Sequence, residues 1–209
     1  MSKQILKELK NHVPFSAGGA VSGILLIILL QEQSPGFHKT LFYILHPIHV
    51  VLSAFVTASI YKLHTCDRFN AKCIRGRCNF WLLSLIGYSG AIGIATLSDS
   101  IIPFLGEILL DMPNRGIHLG FIEKWWLVNP LAVIGILFAY YMRPHTVLPH
   151  AGHVLLSTWA SLFHILMATG NELTVCSYIT LFLFLFTAVW IPCCLSDIVF
   201  PLLFVKAKK

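Results

Sequence analysis

Charge is what this chain has least of. Only 11% of its 209 residues are charged, nine of them acidic, while 56% are hydrophobic. With a mean hydropathy of +0.77, this scarcity argues against an ordinary soluble domain and for a membrane protein. Other absences narrow the reading. No nucleotide-binding motif is present, so any use of ATP is expected to fall to another subunit. Lys3, Lys7, Glu8 and Lys10 make a polar start, but no small-residue cleavage site follows a short apolar core, so a cleavable signal peptide is not expected. Cys66, Cys73 and Cys78 lack the spacing of a standard zinc knuckle. They lie in a basic loop expected in the cytoplasm, where thiols stay reduced. No obvious catalytic nucleophile stands out.

What is present in quantity is apolar sequence. A bilayer crossing takes about 20 such residues, and runs of that kind lie near 14–31, 41–62, 81–107, 127–143, 147–169 and 176–205. The expected fold is therefore an all-α integral membrane protein with six transmembrane helices. With both termini in the cytoplasm, twelve of the 15 Lys and Arg fall inside, leaving Lys39, Arg115 and Lys124 outside. That asymmetry is the positive-inside pattern. The basic residues are scattered among short loops, so nucleic acid is not an expected partner and the lipid bilayer is. The expected location is a prokaryotic cytoplasmic membrane, and a homo-oligomer is compatible with the sequence.

The chain also repeats itself. His46–Thr57 reads HPIHVVLSAFVT and His150–Ser161 reads HAGHVLLSTWAS. Leu97–Leu105, LSDSIIPFL, is echoed by Leu195–Leu203, LSDIVFPLL, and VSGIL at Val21 by VIGIL at Val133. The same boxes in the same order indicate a duplication. Residues 1–111 would form one three-helix repeat and 112–209 the other. Three is an odd number, so the second copy enters from the opposite side and the halves form a 3+3 inverted-topology repeat. Gly19 and Gly23 on the first helix, and Gly87, Gly90 and Gly93 on the third, read as close-packing faces. Trp125 and Trp126 read as an interfacial anchor.

The repeated residues are the ones with chemistry. His46, His49, Ser53 and Thr57 share one helix face, as do His150, His153, Ser157, Ser161 and His164. Asp99 and Asp197 each precede a proline by four residues. Such a proline leaves the aspartate's own carbonyl without a donor, as in a locally broken helix that coordinates a cation. Two His three apart can hold one metal ion, and an Asp from a neighbouring helix completes a set suited to zinc or iron. The expected sites are an outer one of His46, His49 and Asp99 and an inner one of His150, His153 and Asp197, with Ser53, Thr57, Ser157 and Ser161 between them.

Glu107 and His118 are candidates to extend the outer site, with solvated loop residues as their simpler reading. Cys193 and Cys194, present only in the second half, are candidate soft ligands on the inner side, with small apolar packing as theirs. The leading function is transport of a divalent transition-metal ion. The alternatives are an intramembrane metalloenzyme with a dinuclear His/Asp site acting on a lipid-like substrate, a b-type haem subunit, and polar residues that only join helices. Haem would use the pairs His49/His64 and His150/His164, fifteen and fourteen residues apart. It ranks behind metal because His64 and His164 are not themselves duplicated.

Overall fold

The computed structural model describes residues 2–65, 79–142, 147–170, 173–195 and 199–205. Every regular element among them is helical: α1 (Ser2–Leu30), α2 (Pro35–Thr65), α3 (Phe80–Thr96), a π-helical turn (Leu97–Ile101), α4 (Ile102–Leu109), α5 (Gly120–Glu123), α6 (Trp125–Tyr141), α7 (Val147–Ala168), α8 (Val175–Cys194) and α9 (Phe200–Leu203). Among the described residues five segments are long and apolar enough to cross a membrane: Val13–Leu30, Pro35–Thr65, Phe80–Leu109, Ala151–Ala168 and Val175–Cys193. α6 is apolar as well but has 17 residues, about 26 Å at the rise of an α-helix. Large apolar side chains such as Leu29, Trp81, Ile179 and Val175 point outward, and Trp125 and Trp126 are both exposed. A chain folded against lipid has no reason to hide them.

Local sequence explains the boundaries. Asn79 caps α3, its side chain accepting from the backbone of Trp81 at 3.1 Å and of Leu82 at 3.4 Å. Thr174 caps α8, its hydroxyl accepting from Ser177 N at 3.2 Å. Pro47 removes one ladder bond from α2, yet the helix continues for 31 residues. The C-terminal carbonyls of α6 are met by a side chain. Lys62 Nζ, 8% exposed, donates to Ala139 O at 2.9 Å, Tyr140 O at 2.7 Å and Met142 O at 3.1 Å. A buried ammonium is tolerated there because the helix C-terminus offers unpaired oxygens and partial negative charge.

α2 lies at the centre, against α3 and α6 on one side and α7 on the other, and α7 in turn packs on α1 and α8. The contact with α3 and α6 is apolar, built from Ala54, Ala58, Leu83, Ile86, Ile136 and Ala139. On the α7 side the His49 and His153 rings lie against each other, both fully buried. The apolar side is very close. A Cβ at Gly135 would stand 2.3 Å from the Val51 carbonyl oxygen and 3.0 Å from Ala54 Cβ. Gly87 and Gly90 are close-packed as expected, each 2.9 Å in the same sense from a neighbouring side chain. Gly93 is not, since a Cβ there would meet nothing within 4 Å. Gly135→Ala should therefore push α6 off α2 and destabilise the fold by about 1–3 kcal/mol. Gly93→Ala should be neutral or stabilising by up to about 1 kcal/mol. Thermal unfolding of both variants in detergent checks the contrast.

Candidate metal centre

The site begins with a change of helical register. Ile102 N–H bonds to Leu97 O, five residues back rather than four. Sequence reasoning expected a broken helix with the Asp99 carbonyl freed by Pro103. The helix widens there. With bonds running five back, the carbonyl that Pro103 cannot serve is that of Ser98. Ser161 of α7 fills it, Oγ to Ser98 O at 2.9 Å. The widened turn buries Ser98, Asp99 and Ser100 completely.

Asp99 faces α2 and α7 together. Its Oδ2 accepts from His46 Nδ1 at 2.9 Å and from His49 Nδ1 at 2.6 Å. Its Oδ1 accepts from Ser98 Oγ at 2.7 Å and from Ser157 Oγ at 2.9 Å. A carboxylate has room for about four such bonds, and these four occupy it. Because the carboxylate only accepts, both imidazoles carry their proton on Nδ1 and turn a lone pair outward on Nε2. His46 stacks on Phe42 at 5.3 Å and leaves no room for a side chain at position 120, where a Cβ would come within 2.5 Å of its ring. Gly120 is thus the residue that lets α5 close over His46.

His49 Nε2 is fully buried with no hydrogen-bond partner among the described residues. Its ring lies against that of His153 on α7, with centroids 4.6 Å apart and planes at 23°. His153 Nε2 stands 3.7 Å from Cys193 Sγ on α8. Among the described residues two groups can therefore hold a metal ion, His46/His49/Asp99 and His49/His153/Cys193, every member buried.

A second carboxylate–imidazole pair lies beside the loop at residues 116–118. Glu107 is 1% exposed; its Oε1 accepts from His164 Nδ1 at 2.8 Å and its Oε2 from Gly116 N at 3.1 Å. His164 Nε2 in turn accepts from His118 N at 3.4 Å, and Ser100 Oγ donates to His118 O at 2.6 Å. Glu107 is thus no solvated loop residue but an anchor for residues 116–118. Glu123 pins the same loop from outside, accepting from the Tyr43 hydroxyl and from Leu119 N at 3.1 Å. Burial pushes the Glu123 carboxyl up, but the Tyr43 bond, the His118 imidazole and the Leu119 amide together hold it below the usual range.

The expected outer set of His46, His49 and Asp99 is brought together. Of the inner set, His153 is buried beside His49, while Asp197 and the side chain of His150 lie outside the described residues. So do Cys66, Cys73, Cys78 and the side chain of Cys194. Ser157 serves Asp99, Ser161 serves Ser98, and Ser53 and Thr57 are buried on the same side of α2. The residues proposed for haem do not support it. His64 is exposed, with Nδ1 on Ile60 O at 2.9 Å, and both nitrogens of His164 are engaged. Sequence reasoning missed Ser98 and the meeting of His49 with Cys193. The LSD box contained the first signal; the second joins the two halves, where repeat alignment gives no guidance.

Comparison with protein-family models, with curated proteins and with solved structures found no match. The class that fold and site define is an all-helical protein of membrane type with buried His/Asp groups able to hold a metal ion. Glu107→Ala should strand the His164 and Gly116 donors and cost about 3–5 kcal/mol, as breaking a buried pair does. Hydrogen exchange should show lost protection at Gly116, with α2 protected as before.

Proposed function

We propose that the protein binds a divalent transition-metal ion where α2 meets α7 and carries it across the membrane. The observation that supports this is the Asp99 carboxylate, buried with His46 and His49 among helices whose outer faces are apolar. An ionisable cluster inside a bilayer is costly and usually functional. The crossings would be six: α1, α2, α3 with α4, α6, α7 and α8. They would form a 3+3 inverted repeat, 1–111 and 112–209, with cytoplasmic termini in a prokaryotic inner membrane. The two HxxH helices then belong to opposite halves, and rocking one half against the other would expose the ion to each side in turn. His46, His49 and Asp99 would serve the outer approach, and His150, His153 and Asp197 the inner. Metal binding displaces protons, so the ion's movement can be coupled to a proton gradient.

The enzyme reading draws on the fact that both metal-capable groups share His49, which fits one continuous centre. Flux separates the two readings. Purified protein in liposomes should move zinc or ferrous iron, and Asp99→Asn should lower that flux at least tenfold while the protein remains folded. Undiminished flux in the variant contradicts the proposal. Stoichiometric metal without flux in the unmutated protein would favour an enzyme.

A further inference from the structure

We propose that the ion is held by His49 Nε2, His153 Nε2 and Cys193 Sγ, one ligand from each of α2, α7 and α8, and that Asp99 is not a ligand but the carboxylate that orients them. This rests on the metal-binding reading above and names the ligands and the ion class. Distances separate the two groups. Around tetrahedral zinc, with Zn–N and Zn–O bonds of about 2.0–2.2 Å, a nitrogen and an oxygen ligand stand about 3.4 Å apart. His49 Nδ1 and Asp99 Oδ2 are 2.6 Å apart, which is a hydrogen bond. With a Zn–S bond of about 2.3 Å, a nitrogen and a sulfur ligand stand about 3.6 Å apart. His153 Nε2 and Cys193 Sγ are 3.7 Å apart, a weak thiol–imidazole hydrogen bond whose spacing a shared ion can take over with little movement.

Acceptor capacity points the same way. Asp99 already takes four bonds, so ligation there would first have to displace a proton. His49 Nε2 is fully buried with its lone pair unused. A carboxylate on the far nitrogen of a metal-binding imidazole fixes its tautomer and raises its basicity, and Asp99 does this for His49. The ion must lie in the plane of each ring it binds, so the two near-parallel rings have to turn apart on loading. Binding a divalent ion releases one proton, from the Cys193 thiol, since the neutral imidazoles offer lone pairs. Three protein ligands leave a fourth position for an exchanging water. A thiolate with two imidazoles favours zinc and its borderline-soft neighbours over manganese or magnesium.

The test titrates cobalt(II), a spectroscopic stand-in for zinc, into the purified full-length protein in detergent. The expected result is a tetrahedral cobalt spectrum with a thiolate-to-cobalt charge-transfer band. Cys193→Ser should remove that band and weaken binding at least tenfold, while Cys176→Ser, at an exposed thiol, leaves both unchanged. Asp99→Asn should keep the band at saturating cobalt but bind it about 10–100-fold more weakly. X-ray absorption at the zinc edge of the unmutated protein, which needs no substitution, should show one sulfur at about 2.3 Å among nitrogen or oxygen neighbours. Cobalt bound without the band, a zinc shell of nitrogen and oxygen alone, or an unaltered spectrum in Cys193→Ser would overturn this assignment and leave the metal-binding proposal standing. Failure of the folded protein to bind either ion would overturn both.

Discussion

A carboxylate that accepts four hydrogen bonds organises the middle of this molecule. Asp99 is fully buried, and a buried anion is tolerable only when its acceptor positions are filled. The donors come from two imidazoles on α2, one hydroxyl on α7 and one on its own turn. α2 and α7 are thereby tied to the same turn through polar contacts, while apolar packing at Gly135 and around Ala58 holds α2 from behind. The register change at Leu97–Ile101 belongs to the same arrangement. It frees the Ser98 carbonyl, which gives α7 a second attachment through Ser161.

The chemistry follows from that constraint. By fixing the proton of His49 on Nδ1, Asp99 leaves Nε2 as a buried base, and the nearest groups beyond it are an imidazole and a thiol from the other half of the chain. Neither half alone supplies this set, because Cys193 has no counterpart in the first, where Ala95 stands in the aligned position. Asp99 faces the imidazoles of α2 and a hydroxyl of α7, and α8 places the Cys193 thiol beside His153.

Much of this was legible in the sequence, for definite reasons. Apolar runs near 41–62 and 147–169 marked α2 and α7, because a helix buried on several sides needs few charges. The HxxH spacing put each His pair on one face, and counting residues in from the ends of the apolar runs put Asp99 level with His49, which it meets. Other features were hidden because they depend on contacts between distant segments. Nothing local marks Gly93 as different from Gly87, or reveals that Glu107 would turn inward to His164. Pro103 signalled an unserved carbonyl, but the identity of that carbonyl depends on a register that sequence periodicity does not report. The sequence offers Lys62 only as one of the basic residues expected inside, whereas its ammonium meets carbonyls at the C-terminal end of α6, about 80 residues further along the chain.

The most direct measurement is the metal content of the purified protein, unmutated and with His49→Ala. His49 is the one side chain common to both metal-capable groups, so its loss removes the ion whichever group holds it. The account predicts about one zinc or other transition-metal ion per folded chain, and none above background in the variant. A folded unmutated protein that carries no ion and takes up none, or a variant that keeps its ion, would contradict it.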